Sequence, residues 1–171
     1  MLNVFRVRLH EYTESQSKNR KTTILLQHGS AGSSDEFFVN GEEKSIGFYL
    51  VNKGYDVWAI NNRGNKYSHS SSDIHMTLEK FFDFTFQDMA IYDIAAVFVY
   101  IKNSKDFVGR ITLIGFSQGT QTFFASLVDP MVKELAYKYT KKFIALAPIA
   151  HMKGFGSQFG LNKLLSKAHK I

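Results

Sequence analysis

The chain has 171 residues, 44% hydrophobic and 15% aromatic, a composition that excludes a disordered chain and suits one domain with a substantial core. Lys and Arg outnumber Asp and Glu, 21 to 15, but the excess is scattered and forms no basic run that tracks phosphates, which argues against nucleic acid as a partner. Without cysteine there is neither a disulfide framework nor a thiolate metal site, and no apolar stretch reaches the length expected of a signal peptide near the start or of a membrane span later.

Val4, Val7 and Leu9 alternate with Arg6, Arg8 and His10, the pattern of an edge strand with one wet face. A polar loop from Glu11 to Lys21 follows. In Thr22 to Gln27 the run Ile24, Leu25, Leu26 suits a strand buried on both faces, and it leads into a glycine-rich loop, His28 to Ser34. Lys44 to Asn52 reads as a short helix stopped by Gly54, and Tyr55 to Ile60 as the next strand, entering the turn-rich loop Asn61 to Asn65. Arg63 in that loop reads either as an anion clamp or, by preference, as a tie for loop carbonyls.

Ser68 to Asp73 forms a polar surface loop, and Phe81, Phe82, Phe84 and Phe86 read as core-filling aromatics. Thr85 and Asp88 have the spacing of a capping box, opening a long helix from Phe86 to about Lys102. Asp93 on its apolar surface reads as a structural hydrogen-bond acceptor.

Ile111, Leu113 and Ile114 form a short buried strand, Gly115 to Gly119 a sharp turn, and Gln121 onward a helix. That is the context of a nucleophile elbow, in which a serine on a strained strand-to-helix turn points its hydroxyl above the sheet. Strand and helix backbones approach so closely there that the positions two either side must be glycine, here Gly115 and Gly119. The bare pattern arises by chance in about one chain in twenty of this length, so its placement between a strand and a helix carries the argument. Ser117 is the candidate nucleophile. The Gln118 amide, at a helix N-terminus, and the Ser30 amide, in the loop leaving an earlier strand, are the candidate oxyanion donors. His28 reads as a brace for its loop and not as a base.

Asp129 and Pro130 mark a break, Val132 to Tyr139 a short helix, and Phe143 to Leu146 another buried strand, ending in Ala147 to His151. Beyond it, Leu161, Leu164, Leu165 and Ala168 recur at helical spacing with Lys163, Lys167 and Lys170 between them, as a basic amphipathic helix or, by preference, a loose chain end. The strand-helix alternation is that of a mostly parallel sheet in one domain.

Several of these segments together resemble the acid lipases of the α/β-hydrolase superfamily, the lysosomal and gastric kind. They are Leu26 to Gly29, Gly54 to Trp58, Asn62 to Asn65, Phe82 to Phe86 with Met89, Ala90, Tyr92 and Asp93, Gly115 to Thr120, and Ala145 to Pro148. The resemblance implies an α/β-hydrolase fold that is partial, a mostly parallel sheet with flanking helices lacking its last strands and cap. Residues 1–150 would be the N-terminal part of the core, and 151–171 the start of the cap region or a loose tail.

It implies Ser117 as nucleophile and Ser30 and Gln118 as oxyanion residues. Position 30 is commonly leucine in the family, but a backbone donor tolerates the change. The implied reaction is hydrolysis of lipid carboxylic esters, such as triacylglycerols or sterol esters, through an acyl-enzyme with no metal or cofactor, in a lysosomal or secreted setting. The family order Ser, Asp, His puts acid and base beyond the chain's end. Asp129 and Glu134 lie in the elbow helix and its successor, and His151 and His169 have no evident carboxylate to orient them. The chain therefore reads as an ester hydrolase incomplete by itself, with a lipid ester substrate, a lipid interface and a complementing C-terminal half as expected partners. A non-catalytic remnant that binds a lipid or a protein is the rival reading.

Overall fold

The computed structural model describes residues 1–8, 22–104, 107 and 109–151. The expected loop Glu11 to Lys21, the end of the first strand at Leu9 and His10, and the segment from 152 onward lie outside the described residues.

Five strands form one sheet in the order β1-β3-β2-β4-β5. They are β1 (Asn3–Val7), β2 (Thr23–Gln27), β3 (Asp56–Asn61), β4 (Ile111–Phe116) and β5 (Thr140–Leu146). β1 is antiparallel to β3, with Asn3 opposite Asn61 and Val7 opposite Val57, and all other pairings are parallel. β2 is buried along its whole length between β3 and β4, as its unbroken apolar run predicts.

Two faces of the sheet carry two cores. Ile24, Leu26, Val57, Ala59 and Ile114 pack with Phe37 of the 3-10 turn Ser34–Phe37 and with Val51 of helix α1 (Ile46–Asn52). Leu25, Trp58, Ile60 and Leu113 face Ile94, Val97, Phe98 and Phe123 on the other side. The latter come from a continuous helical run, α3, which is α-helical over Phe86–Asp88, π-helical over Met89–Ile94 and α-helical again over Ala95–Lys102, and from α4 (Gln118–Val128). Helix α2 (Leu78–Phe82) precedes this run and α5 (Lys133–Tyr139) follows α4.

Local chemistry sets the boundaries. α1 ends in a Schellman motif in which Gly54 (φ 83°) donates to the Val51 carbonyl and Tyr55 to that of Leu50. α3 opens on the expected capping box, with Thr85 Oγ1 accepting from the Gln87 and Asp88 amides and Asp88 Oδ2 accepting from Thr85 N at 2.8 Å. Those bonds from Thr85 hold the Asp88 carboxyl below its usual range.

Several boundaries differ from the sequence reading. β4 runs on to Phe116 and α4 begins at Gln118, so a single residue joins them. β5 starts at Thr140, because an edge strand tolerates the exposed Lys141 and Lys142. The four phenylalanines are not core residues. Phe82 and Phe86 are 48% and 40% exposed, and Phe81, Phe82 and Phe84 pack ring on ring at centroid distances of 5.0 and 6.2 Å. Phe81, Phe82 and Phe84 lie in the β3-to-α3 connection and Phe86 opens α3, all outside the two core clusters on the sheet.

After β2 the chain crosses to β3 by way of α1, then returns past β2 on the other face to reach β4. The strand order therefore reverses between β2 and β4. At such a switch point the loops leaving the two carboxyl ends diverge and open a crevice.

Candidate active site

The crevice is walled by the loop leaving β2 and by the β4–α4 joint. Ser117 is that joint, with φ 51° and ψ −116°, a conformation that a side-chain-bearing residue adopts only when its surroundings enforce it. The enforcement is visible. Ser117 N donates to the Leu146 carbonyl at the end of β5 (2.9 Å), and Ser117 O accepts from Thr120 N (2.9 Å) and Thr120 Oγ1 (2.6 Å). The same Thr120 hydroxyl accepts from Ile149 N (2.8 Å), so one buried threonine ties the joint to the loop after β5. Ser117 stands at the N-cap of α4 yet makes no capping hydrogen bond, so its hydroxyl is not committed to the helix end.

Close backbone approach explains both flanking glycines. A Cβ on Gly115 would lie 3.1 Å from the backbone of Gly119 and Thr120, and one on Gly119 would lie 2.5 Å from the Gln27 carbonyl oxygen. The β2 loop reaches the same spot, since a Cβ on Gly29 would stand 3.2 Å from Ser117 Cβ. Ser117 and the 28–30 loop thus share the carboxyl rim of the sheet. Ser30 and Gln118 both line a cleft of about 900 Å³ whose other walls include Phe82, Phe84 and Met89.

His28 braces this rim. Its buried ring has Nδ1 2.7 Å from Gly29 O, while Nε2 faces the Asn62 amide at 3.0 Å and Asn65 Nδ2 at 3.2 Å. A backbone amide can only donate, so Nε2 is the acceptor and Nδ1 carries the proton. Burial lowers the pKa of the ring, which keeps it neutral and able to accept. Both nitrogens are committed to backbone groups, as a brace requires. Glu36 adds a second tie, its Oε2 accepting from Gly29 N at 3.0 Å.

Arg63 corrects the sequence reading. Among the described residues it binds no loop carbonyl. Its Nε and Nη2 lie 2.8 and 2.7 Å from Asp93 Oδ1, and its backbone N donates to Oδ2 at 2.9 Å. Tyr92 and Phe84 flank the guanidinium at 5.4 and 5.9 Å. Asp93 is the structural acceptor that its position suggests. It is fully buried, and that burial pushes its carboxyl up against the opposing pull of Arg63.

Asp129 is likewise structural, accepting from Met131 N (2.9 Å) and Gln87 Nε2 (3.0 Å). Among the described residues no histidine is hydrogen-bonded to Ser117. His151 is exposed, and His169 lies outside the described residues. The sequence reading missed the ties made by Thr120 and Glu36, because Thr120 reaches Ile149 in a loop 29 residues on and no local pattern marks the step from Glu36 back to Gly29.

The model of the family described as alpha/beta hydrolase fold matches residues 22–130. The chain is 39% identical over 129 residues to triacylglycerol lipase 1 of Arabidopsis thaliana, covering 75% of this chain and 31% of that protein. It is 34% identical over 141 residues to lysosomal acid lipase/cholesteryl ester hydrolase of Homo sapiens, covering 82% of this chain and 34% of that one. It therefore spans about a third of the length of these curated relatives. Among solved structures, an esterase of Pyrococcus furiosus superposes with a TM-score of 0.58 at 20% identity, over 92% of this chain and 55% of its own, a likeness of fold. A mostly parallel sheet whose order reverses beside a strained serine joint, matched by that family model over most of its described length, shows that the chain belongs to the α/β-hydrolase fold family.

Proposed function

We propose that this chain carries the nucleophile portion of a lipid carboxylic-ester hydrolase, with Ser117 as nucleophile and the backbone amides of Gln118 and Ser30 as oxyanion donors. The observation that carries the reading is the Ser117 joint, held at φ 51° with its hydroxyl making no bond to the helix end and the Gly29 loop packed against it. The lipase names of its relatives support a lipid ester as substrate, and the likeness to lysosomal acid lipase supports a lysosomal or secreted setting. Residues 1–150 serve as the N-terminal part of the hydrolase core.

In the reaction, Ser117 Oγ bonds to the ester carbonyl carbon while its proton passes to a general base. The carbonyl oxygen becomes an oxyanion facing the two amides. The carbon-to-alkoxy bond then breaks, the alcohol leaves with the proton, and water releases the acid from the acyl-serine. Each oxyanion donor is worth on the order of 10²–10³ in rate. A serine without its base loses on the order of 10⁴ or more.

The rival reading, a non-catalytic binder of lipid or protein, draws on the same hydrogen-bond pattern. No described histidine bonds to Ser117, and His28 spends both ring nitrogens on its loop. A fluorophosphonate probe applied to the protein from its complete coding sequence separates the two. Labelling that disappears in Ser117→Ala supports the hydrolase, and a folded protein that takes no label supports the binder. Turnover of emulsified triacylglycerol, sterol ester and soluble short ester then ranks the substrates.

A further inference from the structure

The cleft beside Ser117 holds one charge without a counter-charge among the described residues. Lys66 is paired with Asp35, and Arg63 with Asp93, while burial keeps His28 neutral with Nε2 accepting from the Asn62 amide. Glu36 has no ion pair and gives its Oε2 to Gly29 N instead. Its position is built into the loop. A Cβ at residue 32 would stand 1.7 Å from Glu36 Oε1, so the carboxylate occupies the space that glycine leaves at Gly32. The turn Ser34–Phe37, capped by the Ser33 hydroxyl on Asp35 N, directs Glu36 back over this seat.

Gly29 links this carboxylate to the serine. The 3.0 Å bond to Gly29 N and the 3.2 Å gap from a Gly29 Cβ to Ser117 Cβ, joined through one residue's covalent frame, put Glu36 Oε2 within about 9 Å of Ser117 Cβ. Any acid released from an acyl-serine carries its new carboxylate at that spot. Two like charges at this separation, at the effective dielectric of a partly open cleft, repel by enough to change an affinity on the order of tenfold.

We propose that Glu36 is a specificity-determining residue of the acyl site, placed by Gly32 so that its fixed negative charge disfavours carboxylates and expels the acid product of ester hydrolysis. The inference rests on the hydrolase reading of Ser117. Glu36→Gln removes the charge and keeps an oxygen to accept from Gly29 N, whereas Gly32→Ala evicts the carboxylate with the charge still on the chain.

In the protein from the complete coding sequence, the test measures inhibition of short-ester turnover by octanoate and by octanamide, a neutral ligand of the same length. Glu36→Gln should tighten octanoate on the order of tenfold and leave octanamide within about twofold, and the difference should shrink with added salt. Gly32→Ala should move the octanoate-to-octanamide ratio in the same direction. Should one variant fail to fold, the other decides. Turnover with that ratio unchanged in the folded variants overturns the role of Glu36 alone. A wild-type protein from the complete coding sequence that turns over no ester overturns the hydrolase reading, and this proposal with it.

Discussion

Replacing Gly119 by alanine adds a Cβ 2.5 Å from the carbonyl oxygen of Gln27 and 2.8 Å from that of His28. Ordinary carbon-to-oxygen contact needs about 3.4 Å, so α4 and β2 must part by most of an ångström. Neither can do so cheaply. Gln27 is paired with Ile60 on one side and Gly115 on the other, and α4 is tied through Thr120 to the loop after β5. Overpacking of this kind costs about 3 kcal/mol, the upper part of its usual range, because backbone and not a flexible side chain must move. For a chain of this size that lowers Tm by about 6–12 °C.

Urea unfolding followed by circular dichroism, with calorimetry, measures the loss. Gly54→Ala is the control, since Gly54 has φ 83° and nothing within 4 Å of a Cβ, so only the dihedral cost of about 1 kcal/mol applies. A Gly119→Ala protein within about 0.5 kcal/mol of wild type, or one less damaged than Gly54→Ala, refutes the close approach at the elbow.

Two further predictions concern the braces around the cleft. Because burial lowers the pKa of His28 below the ordinary 6.5, the unfolded chain binds a proton between the two values and the folded chain does not. Stability is therefore full above pH 6.5 and falls as pH drops through that window, and His28→Gln should flatten this part of a stability-versus-pH series. An unchanged slope in the variant would count against a buried neutral ring. Asp93→Ala leaves the Arg63 guanidinium without its carboxylate and should cost about 2–3 kcal/mol, below the fully buried case because Arg63 keeps 28% of its side chain exposed. Chemical denaturation checks this, and a loss under 1 kcal/mol would mean that the pair does not hold the β3 loop to α3.

What could be read in advance was local. Gly115 and Gly119 two positions either side of Ser117 announce a tight strand-to-helix joint, because only the immediate backbone decides whether a Cβ fits there. Thr85 and Asp88 announce a helix start for the same reason, and the apolar run Ile24 to Leu26 a strand covered on both faces. Where the reading failed, the answer lay in neighbours remote in sequence. Arg63 meets Asp93 thirty residues on, the phenylalanines from 81 to 86 stay partly exposed because they lie outside the two core clusters on the sheet, and the π-helical turn Met89–Ile94 interrupts a helix whose apolar spacing looks regular.

The sequence by itself determined the elbow, the strand cores and the helix caps, since each follows from steric and hydrogen-bonding rules acting over a few residues. Only the tertiary structure decided that Gly29 abuts Ser117, that Thr120 reaches Ile149 and that Glu36 folds over Gly32 into the cleft. The first two contacts exist because β4 lies between β2 and β5, so loops far apart in the chain leave the sheet side by side, and the third because the 3-10 turn after β2 carries Glu36 back onto its own loop.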